Sequence, residues 1–140
     1  MQLPIKAHYA TVAMLALAQH FHSGRLVTAR AIADEHDIPG QFLVQILQQL
    51  RASGMITSTR GSSGGFRLER APSTISLADI VEAVCPASHA TMTPARSNLN
   101  AIVQDVWAEL NVLESQQLAR LRLDQLCHRA GTTTQSMFYI

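Results

Sequence analysis

Ten of the eleven basic residues of this 140-residue chain are arginines, and Lys6 is the only lysine. A guanidinium is a planar fork that suits phosphate and guanine bidentately, which a point-charge ammonium does not match. Two of the arginines, Arg60 and Arg67, flank the run Gly61-Ser62-Ser63-Gly64-Gly65. Three glycines in five residues permit positive φ, so the run can turn tightly and approach another surface closely. An arginine at the base of such a tip gains from the negative potential focused in a narrow minor groove. Other reactive side chains are sparse. Cys85 and Cys127 are too few for a disulfide framework. Neighbours on a helix point about 100° apart, so Cys127 and His128 make a poor chelate. His20 and His22 flank a helix end and are expected in water. The chain has no CxxC, HExxH, Walker loop, GxGxxG or GxSxG, which argues against a freestanding enzyme.

The elements that position these residues follow from hydrophobic period. Ala10, Ala13, Met14, Leu17, Ala18 and Phe21 recur at three- and four-residue steps and predict a helix over 6–22. After a short extended piece, Arg25 to Val27, Thr28 is an N-cap for a second helix over 29–35. His36 to Pro39 form a tight turn. A third helix over 40–53 buries Phe42, Leu43, Ile46, Leu47 and Leu50, and Gly54 stops it. The period then becomes alternating, with strands over 55–60 and 66–70 on either side of the glycine run. Ser76 and Asp79 have capping-box spacing for a helix over 77–84. Residues 87–98 read as a loop. A long helix over 98–119 carries a narrow seam of Leu99, Ile102, Val106, Leu110 and Leu113, widened by Val103 and Trp107, of the kind that a partner helix covers. A short helix over 123–130 is expected to end at Gly131 and three threonines, leaving a tail that closes on Met137 to Ile140.

The resulting fold class is mainly α with a two-stranded wing: a winged helix-turn-helix domain over 1–85, a loop over 86–97, and a region over 98–140 holding a long dimerisation helix, the short helix and the tail. The third helix, about 14 residues, has the length to lie in a major groove with its N-terminal residues at base edges. Apolar residues at 47% can fill a core, and 15% charged residues are too few for a wholly disordered chain. The net charge of +1 is uninformative, but its distribution is not. Residues 1–70 carry seven basic and four acidic groups, and residues 71–140 carry four and six. No apolar run approaches the roughly 20 residues needed to cross a bilayer, and the first ten residues lack a signal-peptide core. The chain is read as cytoplasmic, with no membrane partner.

One set of segments is more specific. Lys6-Ala-His-Tyr-Ala10, Ala31-Ile-Ala33, Ile38-Pro-Gly-Gln-Phe-Leu-Val-Gln-Ile-Leu-Gln-Gln-Leu-Arg51, Ser53-Gly-Met-Ile56, Arg60-Gly-Ser-Ser-Gly-Gly-Phe-Arg-Leu68 and Ile75 to Val84 resemble the Rrf family of bacterial winged-helix regulators, the IscR, NsrR, RirA and CymR group. The likeness covers 1–85 strongly and the long helix by position. It implies a homodimeric transcription regulator, usually a repressor, that binds a near-palindromic operator in double-stranded DNA and pairs through its long helices. Residue by residue, it implies Gln41, Phe42 and Gln45 near bases, where Gln can pair bidentately with adenine. Phe42 matches a family Tyr and lacks its hydroxyl. Val44 stands where many members carry Glu, which implies a different operator. Lys6 and Tyr9 correspond to backbone-contacting positions, Thr28 to a cap near phosphate, and Arg60 with Gly61, Gly64 and Gly65 to the wing. The dimer interface corresponds to Leu99, Ile102, Val106, Leu110 and Leu113.

Cluster-binding members of that family have three cysteines between the fourth and fifth helices, and this chain has only Cys85 there, with His89 four residues on. An iron–sulfur cluster needs about four ligands, mostly thiolate. The expectation is therefore no metal and no cofactor. A cluster would have to borrow His89 and a residue such as the partner chain's His8. The signal would then be a small molecule, a protein partner or thiol oxidation. The alternative function is a protein-interaction module that regulates an enzyme or polymerase without reading bases. The wing discriminates the two, because only a DNA binder needs Arg60 and the glycines facing outward beside Gln41 and Gln45.

Overall fold

In chain order the elements are α1 (Ile5–Ala18), α2 (Ala29–His36), α3 (Gly40–Ala52), strands β1 (Ile56–Thr59) and β2 (Gly65–Leu68), a 3-10 turn (Pro72–Thr74), α4 (Leu77–Val84), α5 (Asn98–Arg120) and α6 (Leu123–Phe138). The computed structural model describes residues 3–86 and 93–138, with side chains described through Gly131. This is the mainly helical, winged architecture the hydrophobic periods predict.

α1 is the axis of the domain. Ala7, Ala10, Ala13, Met14, Ala16, Leu17 and Ala18 are buried, so it is apolar on more than one side. Its alanines let other helices come close, and α3, α4 and α6 all pack on it. The helix stops at Ala18, four residues short of expectation. The chain tightens there into turns, with the amides of His20 and Phe21 donating to the carbonyls of Leu17 and Ala18 at 3.1 and 3.2 Å. Phe21 still packs on the core from the turn, so the periodic pattern survived while the helix did not.

α3 packs its stripe of Leu43, Ile46, Leu47 and Leu50 into the core, where all four are at most 1% exposed. Truncating any of them to Ala should cost about 2–5 kcal/mol, because a packed interior cannot close the cavity. β1 and β2 pair antiparallel in the register Ile56 to Leu68 and Thr59 to Gly65. The short extended piece adds a third rung: Val27 and Phe66 exchange amide hydrogen bonds of 2.9 and 2.8 Å. α4 opens on a full capping box, the Ser76 hydroxyl accepting from the Asp79 amide at 3.1 Å and the Asp79 carboxylate from the Ser76 amide at 3.0 Å.

The C-terminal end differs from the sequence reading in two respects. α6 does not stop at Ala130 but runs on through Gly131 and the threonines to Phe138. A helical Gly costs only about 1 kcal/mol relative to Ala, and Thr less, so neither residue is a stop by itself. Nor does α6 share a separate unit with α5. The Leu123 amide donates to the Ile75 carbonyl at 2.9 Å and the Leu77 amide to the Leu121 carbonyl at 2.8 Å, which stitches the start of α6 beside α4. Leu123 is fully buried in the winged domain's core. The loop expected over 87–98 lies partly outside the described residues, and the described part, 93–97, has no regular structure. Tyr139 and Ile140 of the expected tail also lie outside them. Among the described residues no helix is long and apolar enough to cross a membrane.

Candidate nucleic-acid interface

The turn between α2 and α3 is set by three residues. Thr28 caps α2, its hydroxyl oxygen accepting from the Ala31 amide at 3.1 Å. Asp37 takes a left-handed conformation (φ 55°), which an Asp tolerates better than most side chains. Ile38 is buried and anchors the turn, and Pro39 (φ −56°) hands the chain into α3. With 43, 46, 47 and 50 committed to the core, a helix must present 41, 44, 45 and 48 on the opposite side. Gln41, Val44, Gln45 and Gln48 are all exposed there. Beside them a cleft of about 400 Å³ runs between α2 and α3, floored by Ala29, Ala33, Ile38, Gly40 and Val44. Arg30 on its rim faces Asp34 at 3.8 Å, and both are mostly in water, so the pair contributes little.

Phe42 lies elsewhere than its neighbours. Its ring meets Tyr9 edge to face, with centroids 5.7 Å apart and planes at 82°, and both rings pack on the core. The structure therefore joins Tyr9 to Phe42, ties α3 to α1 through them, and leaves Lys6 half-buried one turn earlier on α1. The Thr28 hydroxyl oxygen is used in its cap, while its proton remains available as a donor.

The wing is tied to the other end of α3. Arg51 donates from Nη1 to the Ser58 hydroxyl of β1 at 3.0 Å. No local sequence signal announces this contact, which joins residues on different elements. At the tip Arg60, Gly61, Ser62 and Ser63 are exposed. A Cβ on Gly64 would collide with the Thr59 carbonyl oxygen, and one on Gly65 would sit 2.9 Å from the Val27 carbonyl oxygen. These two glycines are required by close backbone approach within the wing itself. Arg67 is exposed and pairs across the sheet with Thr57.

α5 is 23 residues long and has no buried residue. Its seam of Leu99, Ile102, Val106, Leu110 and Leu113 is 42–76% exposed, and Val103 and Trp107 are about half exposed. α4 packs against α5.

Cys85 caps the end of α4 and Cys127 lies on α6, both half-buried against the core. Burial, and then the Asp124 carboxylate one turn earlier, push the Cys127 thiol up from its ordinary value. Among the described residues no group of three or more His, Cys, Asp or Glu is placed to hold a metal ion. His89 lies outside them. Two thiols per chain, Cys85 at the end of α4 and Cys127 on α6, are fewer than the about four soft ligands that a cluster takes.

Comparison with known proteins adds the following. A profile of the Rrf2 family, described as an iron-dependent transcriptional regulator, matches residues 3–129. An HTH-type transcriptional regulator of Synechocystis, slr0846, is 39% identical over 84 residues; the match covers 60% of this chain and 56% of that one, little more than half its length. IscR of Erwinia tasmaniensis is 29% identical over 130 residues, covering 90% of this chain and 78% of that one. Among solved structures, T. potens IscR superposes with a TM-score of 0.78 at 28% identity, covering 93% of this chain and 88% of that one.

Proposed function

This chain belongs to the Rrf2 family of HTH-type transcriptional regulators, which are not enzymes, and from that premise we propose that it is a homodimeric repressor clamped on a near-palindromic operator. The observation that carries the reading is the exposed stripe of α3, Gln41, Val44, Gln45 and Gln48, in a domain whose hairpin tip exposes Arg60. In this reading α3 lies in the major groove. Lys6, Tyr9 and the Thr28 hydroxyl hold the phosphate backbone, and the wing brings Arg60 to the minor groove with Gly61, Gly64 and Gly65 shaping its approach. Phe42 stands near the bases as the resemblance implies, its ring braced edge to face against Tyr9.

Dimerisation is supported by the exposed α5 seam. A second copy would cover it and set two recognition helices about one helical turn or more apart on one face of the duplex. Repression follows from a dimer occupying a promoter that polymerase must use. No cofactor enters the reading, since the donor set does not suit a cluster. The signal is then a small molecule or a protein partner ahead of thiol oxidation, since burial and Asp124 push the Cys127 thiol up from its ordinary value.

The test is selection of duplexes from random DNA, followed by binding as a function of salt. An enriched, two-fold symmetric sequence with a steep salt dependence is the expected outcome. Equal binding to all duplexes would refute site-specific regulation. Anaerobic reconstitution with iron and sulfide should give no visible absorbance; a coloured protein that bleaches in Cys85→Ala would overturn the cofactor-free reading.

A further inference from the structure

The chemistry of the α3 stripe is unusually one-sided. Over Gly40–Ala52 the only ionisable side chain is Arg51, and it is bound to Ser58 about 15 Å along the helix from Gln41. Arg30 of α2, which lines the cleft beside Gln41 and Val44, projects from the neighbouring helix and not from the stripe itself, and lies 3.8 Å from Asp34. The four outward residues are three amides and one β-branched hydrocarbon. Gln41 to Gln48 spans about 10 Å, or roughly three base-pair steps.

Each base pair asks for something different in the major groove. Guanine offers two acceptors, best met by the fork of Arg or by Lys, and cytosine offers a donor, best met by Asp or Glu. The stripe holds none of these. Adenine offers an acceptor and a donor side by side, which a Gln amide meets bidentately, and thymine offers a methyl group that apolar side chains touch. Val44 is 47% exposed between the outward glutamines, at the edge of the apolar floor of the α2–α3 cleft. Its branched side chain has one strongly preferred rotamer on a helix, so its methyls hold a fixed position there. An apolar group in water has nothing to gain until another apolar group covers it.

We propose that α3 reads A·T pairs: Gln41 and Gln45 on adenines and Val44 on a thymine methyl, so that the base pairs beneath the first two turns of α3 in each half-site are A·T. This rests on the reading of α3 as the major-groove helix and names the bases it takes. G·C specificity elsewhere in the site belongs to other elements.

The experiment changes the DNA, so that folding of variants does not confound it. In the selected duplex each thymine is replaced singly by deoxyuridine, which lacks only the methyl, and each adenine by 7-deazaadenine, which lacks the N7 acceptor. At one thymine position in each half-site, a single replacement by deoxyuridine should weaken wild-type binding about fourfold, the worth of one buried methyl group, and should leave Val44→Ala binding unchanged. One or two 7-deazaadenines per half-site should weaken it by about fivefold or more, and that sensitivity should vanish in Gln41→Ala or Gln45→Ala. Arg30→Ala should leave base preference unchanged. Tolerance of deoxyuridine at every thymine would overturn the inference, as would G·C pairs at the positions whose preference relaxes in the α3 variants; both leave site-specific binding standing. Failure to enrich any sequence would remove site-specific binding and the inference with it.

Discussion

Replacing Val106 and Leu110 together by Glu should convert the protein to a monomer. The two side chains are 44% and 42% exposed in the single protomer, so a partner helix has a little under half of each left to cover. Full burial of a Val or Leu is worth about 1.5–3 kcal/mol, which leaves about 1 kcal/mol for each side chain. A two-fold interface uses every residue twice. The double substitution therefore removes about 4 kcal/mol per dimer, close to a thousandfold in the dissociation constant. The carboxylates add to this, because they would sit unpaired in an apolar seam along a helix that already carries Asp105, Glu109 and Glu114. Since no residue of α5 is buried in the protomer, the far-UV circular dichroism should be unchanged. Sedimentation equilibrium across a wide concentration range reads the result. A variant that dimerises with the wild-type concentration dependence would eliminate α5 as the interface and, with it, the spacing of the two recognition helices.

Arg60→Ala should weaken operator binding by about 1–3 kcal/mol and lower the slope of log affinity against log salt by about one, measured by fluorescence anisotropy; an unchanged slope would mean that the tip does not reach the DNA. Gly64→Ala drives a methyl group into the Thr59 carbonyl, so the wing must distort, at a cost on the order of 1–3 kcal/mol by urea denaturation, and DNA affinity should fall while the helical signal persists. Cys127 should alkylate only at more alkaline pH than a free thiol, and Asp124→Asn should speed the reaction at any given pH by removing the second cause of its raised value. The sign for stability follows: the folded state favours the neutral thiol, so this contribution is complete below the unfolded-state thiol pKa and is lost as pH rises through the raised folded value. Alkylation as fast as that of free cysteine at neutral pH would contradict the burial seen here.

What the amino-acid sequence determined by itself was everything decided within a turn or two of chain. The stripe at 43, 46, 47 and 50 needs only the helical period to bury one face of α3 and, by elimination, to expose Gln41, Val44, Gln45 and Gln48. The caps at Thr28 and at Ser76 with Asp79 are contacts between residues three apart, legible from spacing alone. The glycine-rich tip and the two strands beside it are equally local. Tertiary structure decided what depends on a distant segment. Whether a helix passes Gly131 is a balance of about 1 kcal/mol, too small for composition to settle, and α6 runs on to Phe138. The rung between Val27 and Phe66, the Arg51 tether to Ser58 and the stitch from Leu123 to Ile75 join elements whose sequences carry no mark of each other. Phe42 shows both sides: the period puts it on the buried stripe, whereas its edge-to-face contact with Tyr9 depends on how α1 packs against α3.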